Sequence, residues 1–198
     1  VQSQGNLRRT YFQGQPMDDL PPAIISPLSV LDGGLVSGNF VMPCNKTCTY
    51  IHTNNPLISE IFKQHGKTVN FKGLILANEM SSLEDKRKSV AAIVEIAKQI
   101  EVAGVVINQE GGANTLTDVM MLCSELERQV IKTVLTLNEF AGHDGKTPSL
   151  AETTPEAGHI VSTGNNDYPL HLQRVQQFVG SERLPGVDGN ITEPMTLP

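Results

Sequence analysis

From residue 54 onward, short continuous apolar runs alternate with stretches whose apolar residues recur every three or four positions. Asn54-Asn55-Pro56 opens the first such stretch, with an Asn cap, a Pro in the first turn, and Leu57, Ile58, Ile61 and Phe62 at helical spacing. His65-Gly66 closes it, and His65 is placed to cap the helix C-terminus. Phe71–Ala77 reads as a buried strand. Ser81-Ser82 then precedes a long helix carrying Val90, Ile93, Val94, Ala97 and Ile100 on one face. The pattern continues as strand Gly104–Asn108, helix Thr115–Arg128 and strand Ile131–Leu137. After a Gly-rich loop over Glu139–Ser149 it predicts a short helix at Ala151–Glu156, a strand at His159–Ser162 and a mixed helix at Pro169–Val179.

Alternation of apolar strands with amphipathic helices implies a mainly parallel sheet covered on both faces. Right-handed crossovers make this a three-layer, doubly wound α/β fold of Rossmann-like or flavodoxin-like type. Residues 1–32 are Pro-rich, with one apolar run at Ala23-Ile24-Ile25, and read as an extended arm with a short strand. The α/β domain is expected over 33–180 and a loop or tail over 181–198. The chain begins with Val1 rather than Met, which suggests a fragment or a processed piece.

Composition narrows the function classes. The 198 residues carry a net charge of −6 without a long run of one sign, which argues against nucleic-acid or anionic-membrane surfaces. The basic cluster Lys86-Arg87-Lys88 follows Glu84 and Asp85 and reads as a solvated helix face with local ion pairs. No apolar run approaches the roughly 20 residues needed to span a bilayer. Three cysteines make no disulfide framework, so a reducing cytoplasm is expected.

In open α/β sheets ligands bind beyond the carboxyl ends of the strands. Polar residues collect at those ends: Asn78-Glu79, Gln109-Glu110-Gly111-Gly112, Asn138-Glu139 and Ser162-Thr163-Gly164-Asn165-Asn166. They suit a ligand pocket, and they equally suit ordinary polar loops and helix caps. The glycines after Gln109 allow a backbone to approach a ligand at a helix start, but G-x-G-x-x-G is not present, so dinucleotide binding has no support. Cys44 and Cys48 lack a second ligand pair for zinc, which leaves buried thiols or reactive ones; Cys123 lies in an amphipathic helix beside Met120, Met121 and Leu122 and reads as core. His52, before a helix cap, is either structural or a proton carrier.

The run from Gly33 to Glu79 contains V-S-G-N, T-Y-x-H-x-N-N-P, H-G-K-x-x-N-F-x-G and N-E. Their order and spacing resemble the glycine, sarcosine and betaine reductases (component B) and D-proline reductase, in the pyruvoyl-bearing C-terminal half of a self-cleaving proprotein. The likeness extends from about Gln2 to about Gly180 and includes E-G-x-x-N-x-x-x-D at Glu110, Gly111, Asn114 and Asp118. It also includes E-x-A-G-x-D-G at Glu139, Ala141, Gly142, Asp144 and Gly145.

The resemblance implies an amino-acid reductive-cleavage subunit of Stickland-type fermentation. It would act on a small amino acid in a hetero-oligomer, with the N-terminal half of the proprotein and a selenocysteine-containing partner. In that family the selenolate attacks the carbon bearing the amine while a cysteine-derived pyruvoyl carbonyl draws electrons from the nitrogen. Resemblance, local chemistry and the polar strand ends together give the expected site: Cys48, Cys44 and His52 for catalysis, and Tyr50, Asn78, Glu110, Gly111, Asn114, Asn138 and Asp144 for substrate binding, with no metal.

One position departs. Where the glycine-reductase branch has the cysteine after Gly-Asn, this chain has Phe40, which has no β-leaving group. Cleavage between Asn39 and Phe40 is therefore chemically excluded, leaving Ser37, Cys44 and Cys48, of which Cys48 is preferred. The other reading is a non-catalytic paralogue, kept as an assembly or ligand-binding subunit.

Overall fold

The structure is a computed structural model and describes residues 11–17, 20–36, 49–78, 80–109, 114–139, 141–142, 144, 146–165, 170–172 and 195–197. The second half holds a three-stranded parallel sheet in the order β6 (Gly104–Asn108), β7 (Lys132–Glu139) and β8 (Ile160–Asn165). Ile107 lies beside Leu135, and Leu135 beside Ile160. Two helices, α4 (Leu83–Gln99) and α5 (Asn114–Arg128), pack against each other. They place Val90, Ile93, Ala97, Leu116, Val119 and Leu126 in one core with Ile107, Leu135 and Leu137. Leu126 and Leu135 are fully buried, each stabilising the fold by about 1.5–3 kcal/mol relative to exposure. Cys123 is also wholly buried, as its helix position predicts; its Sγ lies 3.3 Å from Thr133 Oγ1 and burial pushes its thiol pKa up.

Elements from the first half form a second, smaller core. A two-residue turn at Gln13-Gly14, with φ of +49° and +79°, joins β1 (Tyr11–Phe12) to β2 (Gln15–Pro16). Positive φ at both central residues matches the right-handed twist of a tight hairpin. Then come β3 (Ala23–Ile25), α1 (Leu28–Leu31), β4 (Leu35–Val36), α2 (Thr49–Thr53) and α3 (Pro56–Gln64). Strand β4 pairs with β1, and Met17, Val30, Leu35, Ile58 and Leu76 are buried together. Gly34 is obligatory here, because a Cβ would lie 2.3 Å from the Ser29 carbonyl oxygen. Helix α3 starts as the Asn-Pro pattern predicts, with Asn55 Oδ1 accepting from the Ile58 N–H at 3.1 Å. His65 is its C-cap, and its Nδ1 accepts from the Phe71 N–H at 3.0 Å.

Three expectations are corrected. The strand expected at Phe71–Ala77 is shorter, β5 (Leu74–Leu76), and it pairs antiparallel with β3 rather than within the parallel sheet. Ala23-Ile24-Ile25 is apolar enough to take that edge. Ala151–Glu156 is not helical. Pro155 disfavours a helical Thr154, and Ser124 binds both the Thr154 hydroxyl (2.7 Å) and the Glu156 carboxylate (3.0 Å). Within Pro169–Val179, Leu170–Leu172 form strand β9, which pairs with β10 (Met195–Leu197); the remainder lies outside the described residues. The result is a mixed α/β fold with one parallel sheet and several small antiparallel ones.

Candidate functional site at the strand ends

The carboxyl ends of β5, β6 and β7 carry three amides, Asn78, Gln109 and Asn138, which are 3 %, 4 % and 9 % exposed. The Asn78 Nδ2 donates to the carbonyls of Met17 and Leu20, tying the N-terminal segment to the strand end, while its Oδ1 has no partner among the described residues. The Gln109 Nε2 donates to Thr115 Oγ1 at the start of α5, and its Oε1 is likewise unpaired. Asn138 has neither amide atom paired among the described residues.

The pairing of β7 with β8 shifts at this point. Leu137 faces Ser162 and Glu139 faces Asn165, so Asn138 stands opposite both Thr163 and Gly164. Gly164 has φ +106°, as a bulge requires, and bulges of this kind re-aim side chains beside active sites.

Behind Asn78 lies a buried ion pair. Lys86 on α4 is 2 % exposed; its Nζ donates to the Asp118 carboxylate and, at 3.0 Å, to the Asn114 carbonyl. Asp118 also accepts from the Met80 N–H at 3.5 Å. Burial pushes the Asp118 carboxyl pKa up, against the pull of Lys86. Asn78, Ser89, Ile107 and Asp118 line one small cavity between the strand ends and the two helices. The solvated-face reading of Lys86-Arg87-Lys88 is therefore wrong for Lys86. Lys86, Val90, Ile93 and Ala97 follow helical spacing along the buried face, a signal legible in the sequence. For Lys88 the reading holds, since it pairs with Glu84 at 2.7 Å and Asp85 at 3.5 Å in solvent.

The sequence-predicted site residues divide. Asn78 and Asn138 are buried at strand ends. Asn114 offers its carbonyl to Lys86 while its side chain is exposed. Asp144 is exposed and holds Lys146, through its N–H at 3.2 Å and its ammonium at 3.3 Å. His52 lies on α2, which packs against α1 and β4. Its ring is partly buried, its Nε2 is without a partner among the described residues, and burial holds its pKa down at about 4. At neutral pH it is therefore an uncharged imidazole. Cys44, Cys48, Glu110, Gly111 and the side chain of Tyr50 lie outside the described residues. Gln109 belongs to the polar strand ends read from the sequence but not to the site residues expected there; two positions beyond the buried Ile107, it continues the inward face of β6.

The chain belongs to the family of glycine/sarcosine/betaine reductase component B subunits, whose model matches residues 1–193. It is 38 % identical over 180 residues to glycine reductase complex component B subunits alpha and beta of Peptoclostridium acidaminophilum, covering 91 % of this chain and 42 % of the relative. Sarcosine reductase complex component B subunit alpha of the same organism matches with the same identity and coverage. Its betaine reductase complex component B subunit alpha is 37 % identical over 177 residues, 89 % of this chain and 40 % of the relative. The chain thus spans less than half the length of these curated relatives. No solved structure matches it significantly. No helix among the described residues is long and apolar enough to cross a membrane.

Proposed function

We propose that the chain is part of an amino-acid reductive-cleavage enzyme of the glycine/sarcosine/betaine type, working with a selenocysteine-bearing partner and carrying a pyruvoyl group made from Cys48 or Cys44. The three parallel strands are then one portion of a doubly wound sheet whose carboxyl edge holds the substrate. The observation that carries the reading is His52, an imidazole kept neutral by burial, with an unpaired ring nitrogen, four residues after Cys48. A neutral imidazole can take the proton of a thiol as that thiol attacks.

The chain's own residues fit the making of such a group. The Cys48 sulfur attacks the Thr47 carbonyl and the peptide nitrogen is expelled, giving a thioester. β-Elimination then leaves a thiocarboxyl end on the N-terminal piece and dehydroalanine on the other. Hydrolysis of the latter releases ammonia and leaves a ketone. A pyruvoyl group supplies a carbonyl that draws electrons from the substrate's amine. Asn78 and Asn138, buried at the strand ends, bind and orient the amino acid, and the apolar core behind them excludes water.

The second reading is a non-catalytic paralogue, and Phe40, after Gly38-Asn39, favours it. Turnover separates the two. The native complex, supplied with its selenocysteine partner, is expected to cleave glycine, sarcosine or betaine and to lose that activity on treatment with a hydrazine. Activity that survives hydrazine, or survives replacement of both Cys44 and Cys48 by Ala, overturns the cysteine-derived pyruvoyl.

A further inference from the structure

Parallel sheets occur with both faces covered, because their strands are apolar on each side. Among the described residues, the sheet β6-β7-β8 is covered on one face only. Side chains alternate along a strand, and residues paired in register share a face. Val105, Ile107, Leu135 and Leu137 point into the core that α4 and α5 complete. The opposite face carries Val106 beside Val134, and Asn108, Thr136 and Val161 in the next row. None of these three valines belongs to either core. Val106 is 42 % exposed and Val161 53 %. Thr136 Oγ1 donates to Asn108 Oδ1 at 2.7 Å, so these two polar groups answer each other within the face. Its one charge, the Lys132 ammonium, lies at the amino end and is held by Glu127 at 3.2 Å. The middle of the face is β-branched and uncharged.

A second copy of the chain is a poor cover. The outward side of its α4 carries Glu84, Arg87, Lys88, Glu95 and Lys98, and face-to-face packing of sheets is the habit of antiparallel ones. The three strands span about 10 Å between their outer axes, about the width of one helix. This chain spans 42 % and 40 % of two curated relatives, so over half of their length lies in polypeptide it does not contain. We propose that the valine face docks an amphipathic helix of the polypeptide corresponding to the rest of the relatives' length. The apolar stripe of that helix lies on Val106, Val134 and Val161 and completes the third layer of the sheet. The contact is held by apolar burial, and it stands apart from the chemistry proposed for the cysteines.

Sedimentation of the native complex on dilution, which reads the dissociation of this chain from that polypeptide, tests it. Val106→Glu and Val161→Glu are each expected to weaken association by more than about tenfold, because the docked helix would bury an unpaired carboxylate. Val106→Ala and Val161→Ala are expected to weaken it by up to about tenfold, the worth of two buried carbons. Leu83→Glu, 51 % exposed at the start of α4 on the covered side of the sheet, is expected to leave association unchanged. The thermal midpoint of the chain alone is expected to hold in all of these variants, since each replaces an exposed side chain. Unchanged association in both Glu variants, or in both Ala variants should a Glu variant fail to fold, would overturn the proposal. So would a dimer of the chain alone that Val106→Glu dissolves, or a lowered midpoint of the chain alone with association intact, which would put a segment of this chain on the face. An uncut complex that depends on Val106 and Val161 overturns the pyruvoyl reading and keeps this one. A cut, carbonyl-bearing complex indifferent to both does the reverse.

Discussion

His52 and Lys86 are two nitrogen bases that burial treats differently. The His52 ring has no counter-charge among the described residues, and burial lowers its pKa from 6.5 to about 4. The unfolded chain takes up that proton near pH 6.5 and the folded chain near 4, so between these values the unfolded state binds more protons. Stability from this group is full above pH 6.5 and is lost as pH falls toward 4, by on the order of 2–3 kcal/mol. Urea unfolding at pH 7.5 and pH 4.5 is expected to show that loss, and His52→Gln to reduce it; an equal loss in the variant assigns it to other groups. Lys86, in contrast, has Asp118 and the Asn114 carbonyl within reach. Lys86→Met leaves the Asp118 carboxylate buried and alone, so a cost of about 3–5 kcal/mol is expected, largely recovered in Lys86→Met/Asp118→Leu. A cost below about 1 kcal/mol in the single variant would show that the pair is solvated. Neither environment is legible from composition. The helical spacing of Lys86 with Val90, Ile93 and Ala97 carried the signal of its burial, but the charge of Arg87 and Lys88 beside it suggested a wet face.

Helices were the most legible elements, because caps and periodicity agree. Ser82 accepts from the Asp85 N–H at 3.1 Å, and Glu84 and Asp85 occupy the first turn of α4. Ser82→Ala is expected to cost about 1 kcal/mol in urea unfolding; no change would mean that Asp85 and solvent suffice at that end. Strand β6 was readable to the residue, since Gly104–Asn108 is an uninterrupted apolar run ended by amides. The partner of β5 was not readable. Its apolar pattern suits either a parallel neighbour or the antiparallel β3, and the pairing depends on contacts some fifty residues apart. The tight turn at Gln13-Gly14 was missed because Gln gives no warning of positive φ. Ala151–Glu156 failed as a helix because turn chemistry at Thr153-Thr154-Pro155 outweighed a short apolar pattern.

At the scale of the molecule, the sequence placed the polar strand ends on one edge, and the structure shows what distinguishes three of them: amides buried without partners among the described residues. Asp144, predicted alongside them, is instead exposed and paired with Lys146. Burial cannot be read from residue type, which is why Asn78 and Asn138 could not be separated from Asp144 in advance. The small N-terminal core around Met17, Val30 and Leu35 was also unforeseen, since a Pro-rich stretch gives little periodicity. This core packs under β5 through Leu76, so the segment that leads toward Cys44 and Cys48 is anchored to the strand that precedes Asn78. The central claim is that a cysteine of this segment becomes a backbone carbonyl. Peptide mass mapping of the native protein through residues 39–49, with and without a hydrazine label, tests it most directly. The account predicts a break before Cys48, or before Cys44, with the label on the new N-terminus, absent in the variant lacking that cysteine and retained in Cys123→Ala. A peptide running unbroken and unlabelled through residues 39–49 would contradict it and leave the paralogue.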